Sequence, residues 1–159
     1  MSEHNYDFLK RMREIHRPNR RDFQAVPAAN EVALNKDWLL ALGSGFACGG
    51  EKAVLDFQEY LQISMRVPVR IAVADGLSGS RILFQQQALD APRGSFHIEV
   101  KADGIILSTA DLQGLWSAIV YLEDLMNFRE APFLPLGSQL HKPLIRVRRT
   151  HSGSGIDDF

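Results

Sequence analysis

Residues 45–52 read GFACGGEK. The stretch is one position away from a phosphate-binding loop of the form GxxxxGK[ST], in which backbone N–H groups and a lysine surround phosphate oxygens. Glu51 stands where that lysine is needed. A carboxylate there suits the positive end of a helix dipole and repels a phosphate. The loop is therefore read as a glycine-rich lead into an ordinary helix start, and no cofactor is expected.

The other reactive side chains fall into equally incomplete sets. Histidines stand at 4, 16, 97, 141 and 151, with no HExxH or comparable pair at helical spacing. His97 and Glu99 share one strand face, but two ligands do not fix a metal ion, and no metal centre is expected. Ser78 in GLSGS and Ser154 in SGSG lack the full GxSxG elbow of a serine nucleophile. Cys48 has Lys52 nearby and is read as a buried thiol. Glu123 and Asp124 are adjacent. On a helix they diverge by about 100°, whereas glycosidases hold two carboxyls about 5 to 10 Å apart across a sugar. The pair is read as a solvated face, and no catalytic residue is assigned.

Two basic stretches remain. Lys10, Arg11, Arg13, Arg17, Arg20 and Arg21 are interleaved with Asp7, Glu14 and Asp22 and lack an aromatic stacking platform, so they are read as solvated rather than as a nucleic-acid surface. PLIRVRRTHSG has the layout of a strand followed by a polar, glycine-rich loop, a common setting for a site and equally for a terminal tail. Trp38 and Trp116 have the chemistry to stack on a sugar. Trp116 falls on an apolar helix stripe and is assigned to the core, while Trp38 sits beside an expected hairpin turn and is left open.

The elements that must position these groups follow from composition and periodicity. The chain has 159 residues, 45% of them apolar and 23% charged, with a net charge of -1. These values suit one globular domain and give no bulk attraction to nucleic acid or anionic membrane. The single cysteine excludes an internal disulfide and a cysteine-based metal cage. No secretory h-region and no apolar run of membrane-spanning length is present, so the expected location is cytoplasmic.

A short helix is expected over 5–16 and a short strand at Phe23 to Val26. Two apolar runs around Asn35-Lys36-Asp37 predict a hairpin. Val54, Leu55, Phe57, Tyr60, Leu61 and Met65 give a helical period closed by Pro68. VRIAVAD reads as a strand buried on both faces, and RILFQQQ as a further strand. Phe96, Ile98 and Val100 alternate with polar residues, and Asp103-Gly104 predicts a two-residue hairpin turn. That turn sets Val100 opposite Leu107, Ala102 opposite Ile105 and Ile98 opposite Thr109. Thr109 or Asp111 can cap a helix whose stripe is Leu112, Leu115, Trp116, Ile119, Leu122 and Met126. Gly114 in its first turn implies close backbone packing. REAPFLPLGSQLHKP reads as a proline-spaced connection and LIRVRR as a last strand. Hairpins mixed with crossover helices predict an α+β fold, a mixed β-sheet with helices packed on it.

Residues 95–135, SFHIEVKADGIILSTADLQGLWSAIVYLEDLMNFREAPFLP, with KPLIRVRRTHSG after them, resemble the small domain that precedes the catalytic barrel in glycoside hydrolases of family 20, the β-N-acetylhexosaminidases, and in the α-glucuronidase family. The shared pattern is a hairpin, a helix with glycine in its first turn, a proline-containing connection, and a P-x-F-x-x-R strand entering the barrel. Here Gly114 is that glycine, and Pro143 to Arg148 match the strand. Arg149 stands where the hexosaminidases have glycine, and their following D-x-x-R-H is absent.

The resemblance implies a zincin-like domain without a metal centre. It implies one α+β domain over 1–150, with 151–159 starting the link into a catalytic barrel outside this chain. The domain would be non-catalytic, its partner the TIM barrel of the same polypeptide, with the parent protein a glycoside hydrolase. Arg148 matches the arginine that binds sugar hydroxyls, so it is the expected substrate-binding residue. The barrel-facing surface would be exposed in the isolated chain and favour self-association. A stand-alone module that binds carbohydrate or protein is the alternative.

Overall fold

The computed structural model describes residues 15–46, 49–73 and 79–144. Its elements are β1 (Glu31–Ala33), β2 (Leu39–Leu42), α1 (Gly50–Ile63), β3 (Arg70–Val73), β4 (Arg81–Gln86), β5 (Phe96–Lys101), β6 (Gly104–Thr109), α2 (Leu112–Arg129), β7 (Phe133–Pro135) and β8 (Gly137–His141). The expected helix over 5–16 lies almost entirely outside the described residues, and so does LIRVRR beyond Leu144. None of the described helices is long and apolar enough to cross a membrane.

Six strands form one mixed sheet in the order β3-β2-β4-β6-β5-β8. β2 pairs in parallel with β3 and β4, and β4 with β6; β5 runs antiparallel to both β6 and β8. The α+β class and the mixed sheet are therefore as the sequence implies. α1 joins the parallel neighbours β2 and β3, as a parallel connection requires. β1 and β7 pair apart from the main sheet as a small antiparallel ribbon.

Alternation along β4, β5 and β6 turns Ile82, Phe84, Phe96, Ile98, Val100, Ile105 and Leu107 toward the helices, where all are buried. Val54, Phe57 and Leu61 of α1 meet them, with Leu115, Ile119, Leu122 and Met126 of α2. Each such side chain contributes roughly 1.5–3 kcal/mol by leaving water. The other face of the sheet carries Arg81, Gln85, His97 and Glu99 and is partly open.

Several local expectations are corrected. Asn35-Lys36-Asp37 does not close a hairpin, because β1 pairs with β7 while β2 enters the main sheet. Residues 23–26 form no strand; this segment runs along the end of α2, where Asp22 N–H donates to Glu130 O at 2.7 Å. β3 is an edge strand, and Ile71 on it is exposed, so it is not buried on both faces. REAPFLPLGSQLHKP contains β7 and β8; its polar GSQLH run makes an edge strand without an apolar face.

The β5–β6 hairpin closes one step earlier than predicted. Lys101 pairs with Gly104, Val100 with Ile105 and Ile98 with Leu107, so Ala102 and Asp103 form the loop. Neither of them takes a positive φ. The shift is two residues, which leaves every side chain on its predicted face. Gly104 must also pair with Arg81 of β4, and this places it in the sheet rather than in the turn.

At the start of α2 the sequence reading holds. Asp111 Oδ1 accepts a hydrogen bond from Gly114 N–H at 2.8 Å. A β-carbon on Gly114 would meet Thr109 Oγ1 and stand 2.5 Å from Ser95 O. Gly114→Ala should thus lower stability by about 1–3 kcal/mol through overpacking, although alanine is the better helix former. Thermal unfolding checks this, because a rise in Tm would mean that helix propensity outweighs the clash.

Candidate functional site

Where the chain is described, the motifs singled out in the sequence make local contacts within the fold. Gly45 and Gly49 take φ of 115° and 121°. A β-carbon on Gly49 would come within 2.8 Å of Leu112 Cδ2, and one on Gly50 within 2.7 Å of Phe46 Cβ. Gly49 lets the start of α1 approach the start of α2, Gly50 lets Phe46 pack on it, and the helix begins at Gly50. Cys48, Ser78, Ser154 and Arg148 lie outside the described residues. His97 Nε2 stands 2.9 Å from Ser138 Oγ, and Glu99 pairs with Lys101 at 2.9 Å. Among the described residues, no three His, Cys, Asp or Glu side chains group as a metal-binding set.

Two groupings emerge that the motifs did not predict. The first is acidic and lies between the helices. Tyr60 of α1 places its hydroxyl 3.1 Å from Glu123 O and 3.1 Å from Asn127 Oδ1, both on α2. His16 packs edge-on against Tyr60 and stands 3.2 Å from Asp56 Oδ1. Glu123 is turned into this contact, and its Oε1 is buried with no hydrogen-bond partner. Burial, then the charges of Asp56 and Asp124, push its carboxyl up to about 7. The solvated-face reading therefore holds for exposed Asp124 and fails for Glu123.

The second grouping is a groove of about 480 Å³ between the outer side of α2 and the end of β8. Gln113, Trp116, Val120 and Asp124 recur every three or four residues on α2 and so share one side of it. Lys142 lines the groove from beyond β8. Beneath lie three rings in contact: His141 stacks on Phe96 at 4.6 Å and meets Tyr121 at a tilt at 4.2 Å, centroid to centroid. His141 Nε2 is buried without a hydrogen-bond partner. Burial holds this imidazole below its ordinary pKa, which disfavours its charged form.

The core assignment of Trp116 is corrected, and Trp38, left open by the sequence, is settled. Trp38 is in the core at 3% exposure, while Trp116 is 37% exposed at the groove. The true stripe of α2 is Leu115, Ala118, Ile119, Leu122 and Met126, and Trp116 is one residue out of phase with it. The signal available in the sequence was Trp116 and Val120, two apolar residues at i and i+4 beside a stripe already complete. His141 could not be placed, because β8 was not recognised.

No protein-family model matches the chain, and neither does any curated protein. Solved structures match its fold. The GH20 β-N-acetylhexosaminidase from Streptomyces coelicolor A3(2) aligns with 75% of this chain at a TM-score of 0.59 and 10% identity, and 25% of that chain is covered. Streptomyces plicatus β-hexosaminidase aligns with 74% at a TM-score of 0.58 and 12% identity, with 24% of its length covered. CpGH84D aligns with 71% at a TM-score of 0.53 and 12% identity, with 21% covered. The chain spans about a quarter of the length of these structures, and the likeness is one of fold.

The buried acid makes stability depend on pH. The pKa of Glu123 is raised in the fold, so its contribution is intact below the ordinary carboxylate value of 4.5 and is lost as pH rises through about 7. Partial solvent access reduces the effect to about 1 kcal/mol between pH 5 and 8, or a Tm change of about 2–4 °C. Glu123→Gln should flatten the Tm-against-pH curve over this range. An unchanged curve in that variant would show that Glu123 ionises without cost.

Proposed function

We propose that this chain is a non-catalytic domain of a carbohydrate-degrading enzyme, a zincin-like α+β unit without a metal centre that packs against a TIM-barrel catalytic domain following it in the same polypeptide. The observation that carries this reading is the fold match: three quarters of this chain align with one quarter of each Streptomyces hexosaminidase. The hairpin, the Gly114 turn and the Pro143–Arg148 pattern support it from the sequence. On this reading the catalytic carboxylates belong to the barrel. Arg148, on the strand entering it, would offer guanidinium N–H groups to sugar hydroxyls.

A surface suited to such packing gathers about the small ribbon. Phe23, Val26 and Phe128 are 68%, 74% and 89% exposed. Arg129 ties this region together, its Nε donating to Glu31 Oε1 at 2.9 Å and its Nη2 to Val26 O at 2.9 Å. Apolar side chains held outward on an anchored frame are what a domain interface requires.

Three outcomes follow. The gene should continue past Phe159 in an open frame long enough for a barrel, about 250 residues or more, with acidic residues at its strand ends; a stop codon there defeats the reading. The isolated chain should self-associate at high concentration, and Phe23→Lys with Phe128→Lys should make it monomeric in sedimentation. It should hydrolyse aryl-glycosides far below the ~1 s⁻¹ of a working enzyme.

A further inference from the structure

We propose that the groove between α2 and β8 binds a neutral saccharide, one or two rings of a glycan, with Trp116 as its stacking platform. The inference stands on the groove's own chemistry and does not require the hydrolase reading.

The first argument is the placement of Trp116. Its indole lies outside the core cluster, beside Val120. An indole has a broad apolar face and a polar N–H, which suits a partner that is apolar on one face and polar at its rim. A pyranose ring has that character: its axial C–H groups make an apolar face and its equatorial hydroxyls make the rim.

The second argument is the charge of the groove. The Phe96–His141–Tyr121 floor is aromatic, and burial disfavours a charge on His141. Asp124 and Lys142 line the groove with opposite signs. The site therefore provides no field that favours an anion or a cation. Carboxylate, ammonium and amide together supply acceptors and donors, as hydroxyls need because each is both.

The third argument is preorganisation. Gly94 takes a φ of 83°, and a β-carbon there would stand 3.2 Å from Gln113 Nε2, so glycine lets the Gln113 amide pack against the loop. Asp111 Oδ2 fixes this loop by accepting from Gly94 N–H at 3.1 Å. The loop at the groove's end is thus fixed before any ligand arrives. The volume of about 480 Å³ falls among small-molecule sites. A partner helix is the poorer occupant, because of Gln113, Trp116, Val120 and Asp124 on the outer side of α2 only Trp116 and Val120 are apolar.

The test is an NMR titration of the chain with chitotetraose, cellotetraose and maltotetraose, following the two tryptophan indole N–H signals, which Trp116→Phe assigns. The Trp116 signal should shift saturably with at least one neutral oligosaccharide, with a Kd on the order of 1 mM or tighter, while Trp38 stays fixed. Trp116→Ala should weaken binding about tenfold or more. Val120→Lys, which narrows the groove and leaves the indole in place, should weaken it several-fold with Tm unchanged. No saturable shift with any of the three overturns the proposal, as does equal movement of both signals. Tighter, salt-sensitive binding of oligogalacturonate would assign the groove to an anion instead. A Trp116 shift that follows protein concentration alone would assign it to a second copy of the chain. None of these outcomes bears on whether a barrel follows Phe159, so the two readings fail separately.

Discussion

The close approach of α2 to the end of the β5–β6 pair is the constraint on which the rest of the architecture depends. Thr109 is buried at the end of β6, and its hydroxyl lies 3.1 Å from Ser95 O and 3.0 Å from Asp111 O. Asp111 then accepts from Gly114 N–H with one oxygen and from Gly94 N–H with the other. One carboxylate therefore starts the helix and ties down the loop before β5. Only glycine at 114 lets the helix settle onto this knot. From that anchor the direction of α2 is fixed. Leu115, Ile119, Leu122 and Met126 must descend on the sheet, and Trp116, Val120 and Asp124 must face outward beside β8.

The same geometry explains why an acid is caught between the helices. α1 begins against Leu112 through Gly49, so the two helices lie close from their first turns. Tyr60 then bridges to the backbone of Glu123 and to Asn127. Position 123 sits beside this bridge, and any side chain there loses water. A carboxylate responds by favouring its protonated form. The arrangement needs no catalytic explanation: an exposed general acid would require a cleft, and here Oε1 is closed off.

What could be read from the sequence was whatever a strong period specifies. β5, β6, α1 and α2 each carry enough apolar residues in phase to fix type and face. The hairpin register was wrong by two residues and its faces were right, because burial selects the face and a shift of two preserves it. β8 was illegible since GSQLH pairs with β5 through its backbone and buries little, leaving no alternation to read. β1 and β2 looked like one hairpin because two short apolar runs flank a turn signal. Only the tertiary partner, β7, shows that the first run belongs to another sheet. Trp116 was misassigned because it was counted on the apolar stripe, when its phase relative to Leu115 and Ile119 places it on the rim.

These pairings also bear on where function can reside. His97 meets Ser138, Glu99 meets Lys101, Glu31 meets Arg129, and His16 meets Asp56. Each satisfies a local structural need, so most of the chemistry-bearing side chains described serve the fold. The groove beside α2 differs. Moving Trp116 one position into phase would bury it, and a polar residue in its place would cover the helix equally well. An exposed indole costs solubility and adds little to packing. Its placement above an aromatic floor, beside Gln113 and side chains of opposite charge, suits a partner with an apolar face and polar edges. The outward side of α2, like the packing of its inner side on the sheet, thus traces to the helix start that Asp111 and Gly114 set in place.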